Sequence, residues 1–368
     1  MNKGLTTFRA FAFFAVFLDH ILWRGAGYLG VQAFFVLSGF LLTPILLDMK
    51  TSLDTRNFFL HFYGRRTLRI FPLYFFYLAL VTSLAFLFMY KGYAGISSVD
   101  RFLNQLPWSA TFTYDFFHAT TYFMHTNLVT HFWSLAVEEQ FYLIWPVAIF
   151  LIPARHFKLF LILISAAGLL SRLSLALISF YHVVPILNPN TDLIIYVLPF
   201  SHVDAFAIGG LFALYGKSRS SLAVWVSILL VIAIGLTSSW FATGRIDWLD
   251  LGYPPFMRDS YKYIWGYTLV NLMFAYILVN VRDRKFMPAI FENSVLNYLG
   301  KISYGMYVYH FGILWLIGWN SISRIVMALA ATIAISVISY ELMEKRFINL
   351  KDRYFSRTST NVANIQNG

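Results

Sequence analysis

Apolar runs of roughly twenty residues, separated by short polar stretches, recur from one end of this 368-residue chain to the other. A helix needs about 20 residues to cross the ~30 Å hydrocarbon core of a bilayer. Runs of that length cover 5–23, 29–48, 70–90, 132–152, 159–180, 193–215, 222–241, 262–281, 296–318 and 322–343. They are continuous rather than alternating, which selects helices over the strands of a barrel, the other structure that satisfies its backbone in lipid. The pattern therefore predicts an all-α integral membrane protein, a bundle of about ten transmembrane helices. The first run contains Arg9, Asp19 and His20. A cleavable leader has an uninterrupted apolar core, so this run reads as a retained first helix.

The polar stretches between the runs give the orientation. With the N-terminus inside, the inner side receives Lys3; Lys50, Arg56, Arg65, Arg66 and Arg69; Arg155 and Lys158; Lys217 and Arg219; Arg282, Arg284 and Lys285; and the basic residues from Lys345 to Arg357. The outer side receives fewer, among them Arg24, Lys91, Arg101 and Arg245. Positive charge favours the cytoplasmic side, so both termini are expected in the cytoplasm. Two outer loops are long, 91–131 and 242–261. The first holds Trp108, Tyr114, His118, His125 and His131, and long loops on one side often carry function. A transmembrane domain is expected over 1–350 and a polar cytoplasmic tail over 351–368, with no second domain and no internal repeat.

Composition narrows the classes further. Hydrophobic residues make up 59% and charged residues 12%, against about 25% charged in a soluble domain. Aromatics reach 19%, which suits lipid-facing Phe and interfacial Tyr and Trp. The net charge of +11 is spread between apolar segments. That distribution points to membrane lipid as the surrounding partner and away from nucleic acid, which needs its cations clustered on one soluble face. With no cysteine, disulfides, thiolate metal sites and a thiol nucleophile are excluded. The histidines lack metal-ligand spacing, so no metal is expected.

Several polar residues fall inside the apolar runs. Arg9 and His20 are eleven positions apart, which returns them to nearly one helix face about 16 Å apart along the axis. Two readings stand: both snorkel to opposite interfaces, or both face the bundle interior. Arg65, Arg66 and Arg69 form a cluster at i,i+3 and i,i+4 spacing. Guanidinium forks bind phosphate well, and a basic anchor at the inner interface is the other reading. Glu138 and Glu139 lie about two turns into a helix that starts on the outer side. Two adjacent acids entering lipid need an internal partner or a wet cavity. Glu138 and Tyr142 share a face. In the C-terminal half Asp204, Ser303, Tyr304, Tyr307 and His310 are intramembrane polar groups, for which helix–helix hydrogen bonding competes with a direct role.

Taken in order, these residues resemble the acyltransferase-3 family over roughly residues 3–350. The matching stretches are Arg9-Ala10 through Asp19-His20, Gly30 to Phe40 (GVQAFFVLSGF), Arg65 to Tyr74 (RRTLRIFPLY), Trp133 to Tyr142 (WSLAVEEQFY), Ser303 to His310 (SYGMYVYH) and Ser339 to Lys345 (SYELMEK). The resemblance implies a multi-pass enzyme of the bacterial cytoplasmic (inner) membrane. Such an enzyme moves acetyl or another acyl group from cytoplasmic acyl-CoA to a hydroxyl of a cell-surface or lipid-linked carbohydrate. Acyl-CoA is then a donor substrate, and no permanently bound cofactor is expected. O-antigen, capsule, exopolysaccharide and peptidoglycan all remain open as acceptors. Combined with the topology, it assigns Arg9, Arg66 and Arg69 to the CoA phosphates. His20 becomes the general base, and Glu138 the group that orients it or stabilises its imidazolium; an acyl-His relay is the alternative route. Ser134, Tyr142, Asp204, Ser303, Tyr304 and His310 are supporting candidates. One position departs from the family pattern: an Arg is usual two residues before the acid at Asp204, and here it is His202. The competing class is a proton-coupled multi-pass transporter, which buried Arg, His, Asp and Glu would also suit. Transporters often pair broken helices in two inverted halves, and no such pairing is found.

Overall fold

The computed structural model of the chain describes residues 2–22, 27–91, 97–246, 248–254, 257 and 259–355. The end of the first expected span at Trp23, part of the first outer loop, and the tail from 356 onward lie outside the described residues.

Among the described residues all regular structure is helical. In chain order the helices are α1 Lys3–Leu22, α2 Leu29–Ser52, α3 Thr55–Tyr90, α4 Ser97–Ala110, α5 Tyr114–His118, α6 Phe132–Leu151, α7 Phe157–Phe180 and α8 Thr191–Val197. They continue with α9 Val203–Tyr215, α10 Ser221–Thr243, α11 Lys262–Arg282, α12 Pro288–Phe291, α13 Ser294–Ile317, α14 Ile322–Ser339 and α15 Lys345–Tyr354. Eight of the described helical segments are long and apolar enough to cross a membrane, and a bent pair makes a ninth. The ninth of the ten expected runs, 296–318, is the 24-residue helix α13, which is not among those segments. It has the length to cross, and Asn297, Lys301, Ser303, Tyr304, Tyr307 and His310 are what make it less apolar than the rest.

Two expectations need correction. The run 193–215 is not one straight span: α8 and the segment Pro199–Tyr215 meet at 70°. Pro199 has no N–H to donate, and its ring drives the preceding residue out of the helical region. Leu198 accordingly sits at ψ 139° and the chain restarts through a short 3₁₀ turn, Pro199–His202. The run 70–90 is only the second part of α3, a 36-residue helix about 54 Å long. Asp54 caps it by accepting the Asn57 backbone N–H at 3.0 Å. The first turns of α3 therefore extend beyond a hydrocarbon thickness, and Arg65, Arg66 and Arg69 lie near the change from polar to apolar sequence.

The chain divides into two compact units. The first comprises Met1–Leu47 and Ile149–Lys301. Its centre is α9, packed on α7 and α11 and in backbone contact with α2. A Cβ on Gly39 would collide with the Phe206 carbonyl, and one on Gly209 with the Val36 carbonyl. Small residues are the usual device for bringing membrane helices this close. Gly168 does the same for α7, whose backbone there rests against the Asp204 side chain.

The second unit comprises Asp48–Ala148 and Ile302–Gly368. Tyrosine hydroxyls tie α3 to its neighbours. Tyr74 donates to the Ser109 carbonyl and Tyr77 to that of Leu128, each at 2.7 Å, and Tyr304 on α13 donates to Ile70 O at 3.2 Å. After α14 the chain runs through one π-helical segment, Tyr340–Glu344, before α15, which lies along α3. Single π turns are rare and concentrate at functional positions.

Candidate active site

In the first unit, α1 is an unbroken helix from Lys3 to Leu22, so Arg9 and His20 keep the spacing read from sequence. Both are half-buried. Asp19, beside His20, accepts the Tyr28 backbone N–H, and the Tyr28 hydroxyl donates to Pro254 O at 3.2 Å.

Asp204 has a defined partner, Arg172 of α7, and both side chains are fully excluded from solvent. Arg172 Nη1 and Nη2 donate to Asp204 Oδ1 and Oδ2 at 3.0 and 2.9 Å. Arg172 Nε donates to Ile264 O at 2.7 Å, and the remaining protons go to Ser201 O and Thr268 Oγ1. All five guanidinium N–H donors are thus used. Thr268 Oγ1 in turn donates to Asp204 Oδ2 at 2.5 Å. The cation facing Asp204 therefore comes from α7 rather than from position 202. His202 has a different task. Gln32 Nε2 donates to its Nδ1, and its Nε2 donates to Tyr196 O, both at 2.9 Å. A neutral imidazole thereby joins α2 to α8 across the break at Pro199. Arg172 was not among the residues singled out from the sequence. The available signal was the pairing rule itself: a buried guanidinium requires an acid, and Asp204 was the unmatched acid nearby in the chain.

A second buried cation was also missed. Lys262 is fully buried. It pairs with Asp259 at 2.7 Å and donates to Ser239 Oγ and to the Gly252 carbonyl. It ties Gly252 and Asp259 to the end of α10 and the start of α11.

In the second unit, α3 and α6 bring together the other predicted residues. The Arg66 guanidinium lies 5.2 Å from the Tyr142 ring centroid and 5.7 Å from that of Phe62, within cation–π range. The Tyr142 hydroxyl donates to Glu138 Oε1. Arg66 thus reaches Glu138 through one aromatic ring, and it also feels the charges of Arg69 and Glu139. Arg65 turns away to Asp352 on α15 at 3.1 Å and to the Phe355 carbonyl.

One turn before Glu138 on the same face of α6, Ser134 Oγ and the Tyr307 hydroxyl of α13 are 2.5 Å apart. His310 Nδ1 lies 2.6 Å from Tyr307 O. A carbonyl only accepts, so Nδ1 carries the proton and the imidazole is held in one tautomer. His131 Nε2 is fixed in the same way on Val308 O at 3.3 Å, and the two rings are 5.0 Å apart. Ser303 is buried nearby on α13. That His131 and Tyr307 meet Ser134 and His310 was not visible in sequence, because it depends on how α6 and α13 pack.

The described residues of the segment 91–131 pack around buried polar groups. Asp115 takes a hydrogen bond from Gln140 Nε2 at 2.9 Å. Burial raises its carboxyl to about 7, the Gln140 bond opposing the shift. His118 stacks on Phe123 with ring centroids 3.6 Å apart, and burial lowers its imidazole to about 3. Among the described residues no group of three His, Asp or Glu side chains is placed to hold a metal ion.

Long apolar helices whose charged residues pair inside each unit define a multi-pass membrane protein with internal polar chemistry. The acyltransferase-3 family model, described as an acyltransferase domain, matches residues 2–341, and the chain belongs to that family. It is similar to the peptidoglycan O-acetyltransferase OatA of Listeria monocytogenes, at 28% identity over 356 residues, covering 91% of this chain and 54% of the relative. A putative peptidoglycan O-acetyltransferase of Bacillus subtilis, YrhL, is 27% identical over 385 residues, covering 96% and 56%. The O-acetyltransferase OatA of Staphylococcus aureus is 26% identical over 324 residues, covering 84% and 50%. The chain spans about half the length of these relatives. No solved structure matches it.

Proposed function

We propose that the chain is a membrane O-acetyltransferase that moves an acyl group, acetyl in the first instance, from acyl-CoA to a hydroxyl of a cell-surface glycan. The observation that carries this reading is the Arg66–Tyr142–Glu138 arrangement. It sets a phosphate-binding type of side chain one ring away from a carboxylate of the acid–base type. Family membership and the names of the relatives support the reaction class, and they favour it over a transporter. Because relatives are named for peptidoglycan, a peptidoglycan-type glycan is the first acceptor to test.

In this reading Arg66 and Arg69 hold the anionic end of the donor at the cytoplasmic side. His20 takes the proton of the acceptor hydroxyl, which attacks the thioester carbonyl. The C–S bond breaks and the CoA thiolate leaves, to be protonated by the imidazolium. Glu138, held by the Tyr142 hydroxyl, supplies a carboxylate of the acid–base type one ring away from Arg66. Transfer through an acyl-His intermediate uses the same residues. Ser134, Tyr307 and His310 supply hydroxyl and imidazole groups of fixed orientation along the same face of α6. Asp204 is assigned to holding the broken span in shape.

The test uses purified full-length protein with acetyl-CoA and soluble glycan fragments, following CoA release and ester formation together. Formation of both in equal amount is expected. Absence of any donor turnover by folded protein would contradict the reading.

A further inference from the structure

Helix α15 brings a fourth cation to the arginines of α3. Phe355, just after α15, packs its ring on the backbone at Gly64, where any Cβ would overlap it, and meets the His61 ring edge-on at 5.7 Å. Arg65 clasps the same segment through Asp352 and the Phe355 carbonyl. These contacts fix the register of α15 against α3. They turn Lys351, whose side chain is only 12% exposed, into the charge field of Arg65, Arg66 and Arg69. Its near acid is Asp352, 3.5 Å away and already engaged by Arg65. On the other flank Glu344, in the π-helical segment, is buried, accepts from Ser339 Oγ at 3.2 Å and feels Arg69. Three arginines and a recessed lysine, with Asp352 shared between two of them, form a site for a multiply charged phosphate group.

We propose that Lys351 is a fourth phosphate-binding residue, carried by α15 as a strap over the α3 arginines, and that its ligand is the nucleotide-phosphate end of the acyl-CoA donor. This rests on the donor assignment above and adds a residue and an element to it. A lipid headgroup offers the same phosphate chemistry. Side-chain exposures of 12% for Lys351 and 15% for Arg65 describe a recess rather than a face laid on headgroups. Arg66 connects that recess through Tyr142 to Glu138.

The experiment measures CoA binding and acetyl-CoA kinetics on the full chain in nanodiscs, once of phosphatidylcholine alone and once with phosphatidylglycerol. Lys351→Gln, Lys351→Arg and Phe355→Ala are compared with wild type. The expected result is an about tenfold higher Kd and KM for Lys351→Gln, an unchanged kcat, recovery in Lys351→Arg, and the same loss in Phe355→Ala, in both lipids. An unchanged Kd in Lys351→Gln, with or without an effect of Phe355→Ala, overturns the proposal. So does an effect confined to the anionic lipid, which would make Lys351 a headgroup contact. If wild-type protein binds no CoA, the donor assignment itself fails, an outcome distinct from the other two.

Discussion

Arg172 and Asp204 form a two-pronged ion pair with both side chains sealed from solvent. The pair ties α7 to the start of α9, just after the chain has broken at Pro199. Removing one partner leaves the other charge buried and uncompensated, a cost of about 3–5 kcal/mol. Arg172→Met and Asp204→Leu are each expected to lower the apparent Tm in detergent sharply. The double variant should lose much less than the sum, because no lone charge remains. Additive losses would show that the two groups do not act as a pair.

Tyr142 has two separable parts. Its ring lies under the Arg66 guanidinium and its hydroxyl donates to Glu138. Tyr142→Phe keeps the ring, so donor Kd should hold while kcat falls by about tenfold or more through loss of the bond to Glu138. Tyr142→Ala should weaken binding as well. Equal kcat in Tyr142→Phe and wild type would remove the hydroxyl from the mechanism.

Asp115 sets a pH dependence for the first outer loop. Its carboxyl is raised to about 7 by burial, above its value in an unfolded chain. The neutral form is therefore the one the fold prefers. The stabilising contribution is fully present below the ordinary carboxylate range and is lost as pH rises through about 7. Hydrogen exchange across Tyr114–His118 should speed up between pH 5 and 8 beyond the intrinsic rate change. Asp115→Asn should flatten that extra dependence. A pH response identical in wild type and Asp115→Asn would contradict the assignment.

Lys262 makes a comparable prediction for the second outer loop. Lys262→Met removes the partner of Asp259 and the donor to Gly252 O and Ser239. Limited proteolysis near 244–254 should accelerate, while donor binding stays at the wild-type level. Unchanged cleavage would mean that other contacts hold the loop.

Hydropathy alone located the long apolar helices, since the cost of exposing backbone to lipid leaves few alternatives for such runs, but not the shorter α4, α5, α12 and α15. It could not see the break at Pro199, because a single imino acid barely changes a windowed average while it removes a donor and redirects the chain. Nor could it bound α3, whose first turns are polar yet helical. Of the candidate site, Arg9 with His20 and Glu138 with Tyr142 were legible because each pair shares a helix and obeys its period. Arg172 with Asp204, Ser134 with Tyr307, and Lys351 beside the α3 arginines were not. Their partners are separated by 32 residues or more in the hydrogen-bonded pairs, and only tertiary packing brings them together. The motif Ser339 to Lys345 was visible in sequence, but not its π-helical turn, which buries Glu344.

In the proposed reaction, binding of the donor and proton transfer from the acceptor belong to different residues, Arg66 and His20. The most direct measurement is acetyl-CoA affinity and single-turnover rate in purified wild type, Arg66→Ala and His20→Ala, each checked for correct folding. The account predicts that Arg66→Ala weakens affinity about tenfold or more, and that His20→Ala binds normally but loses turnover by a factor of about 100 or more. His20→Ala turning over at the wild-type rate, or Arg66→Ala binding with wild-type affinity, would contradict it.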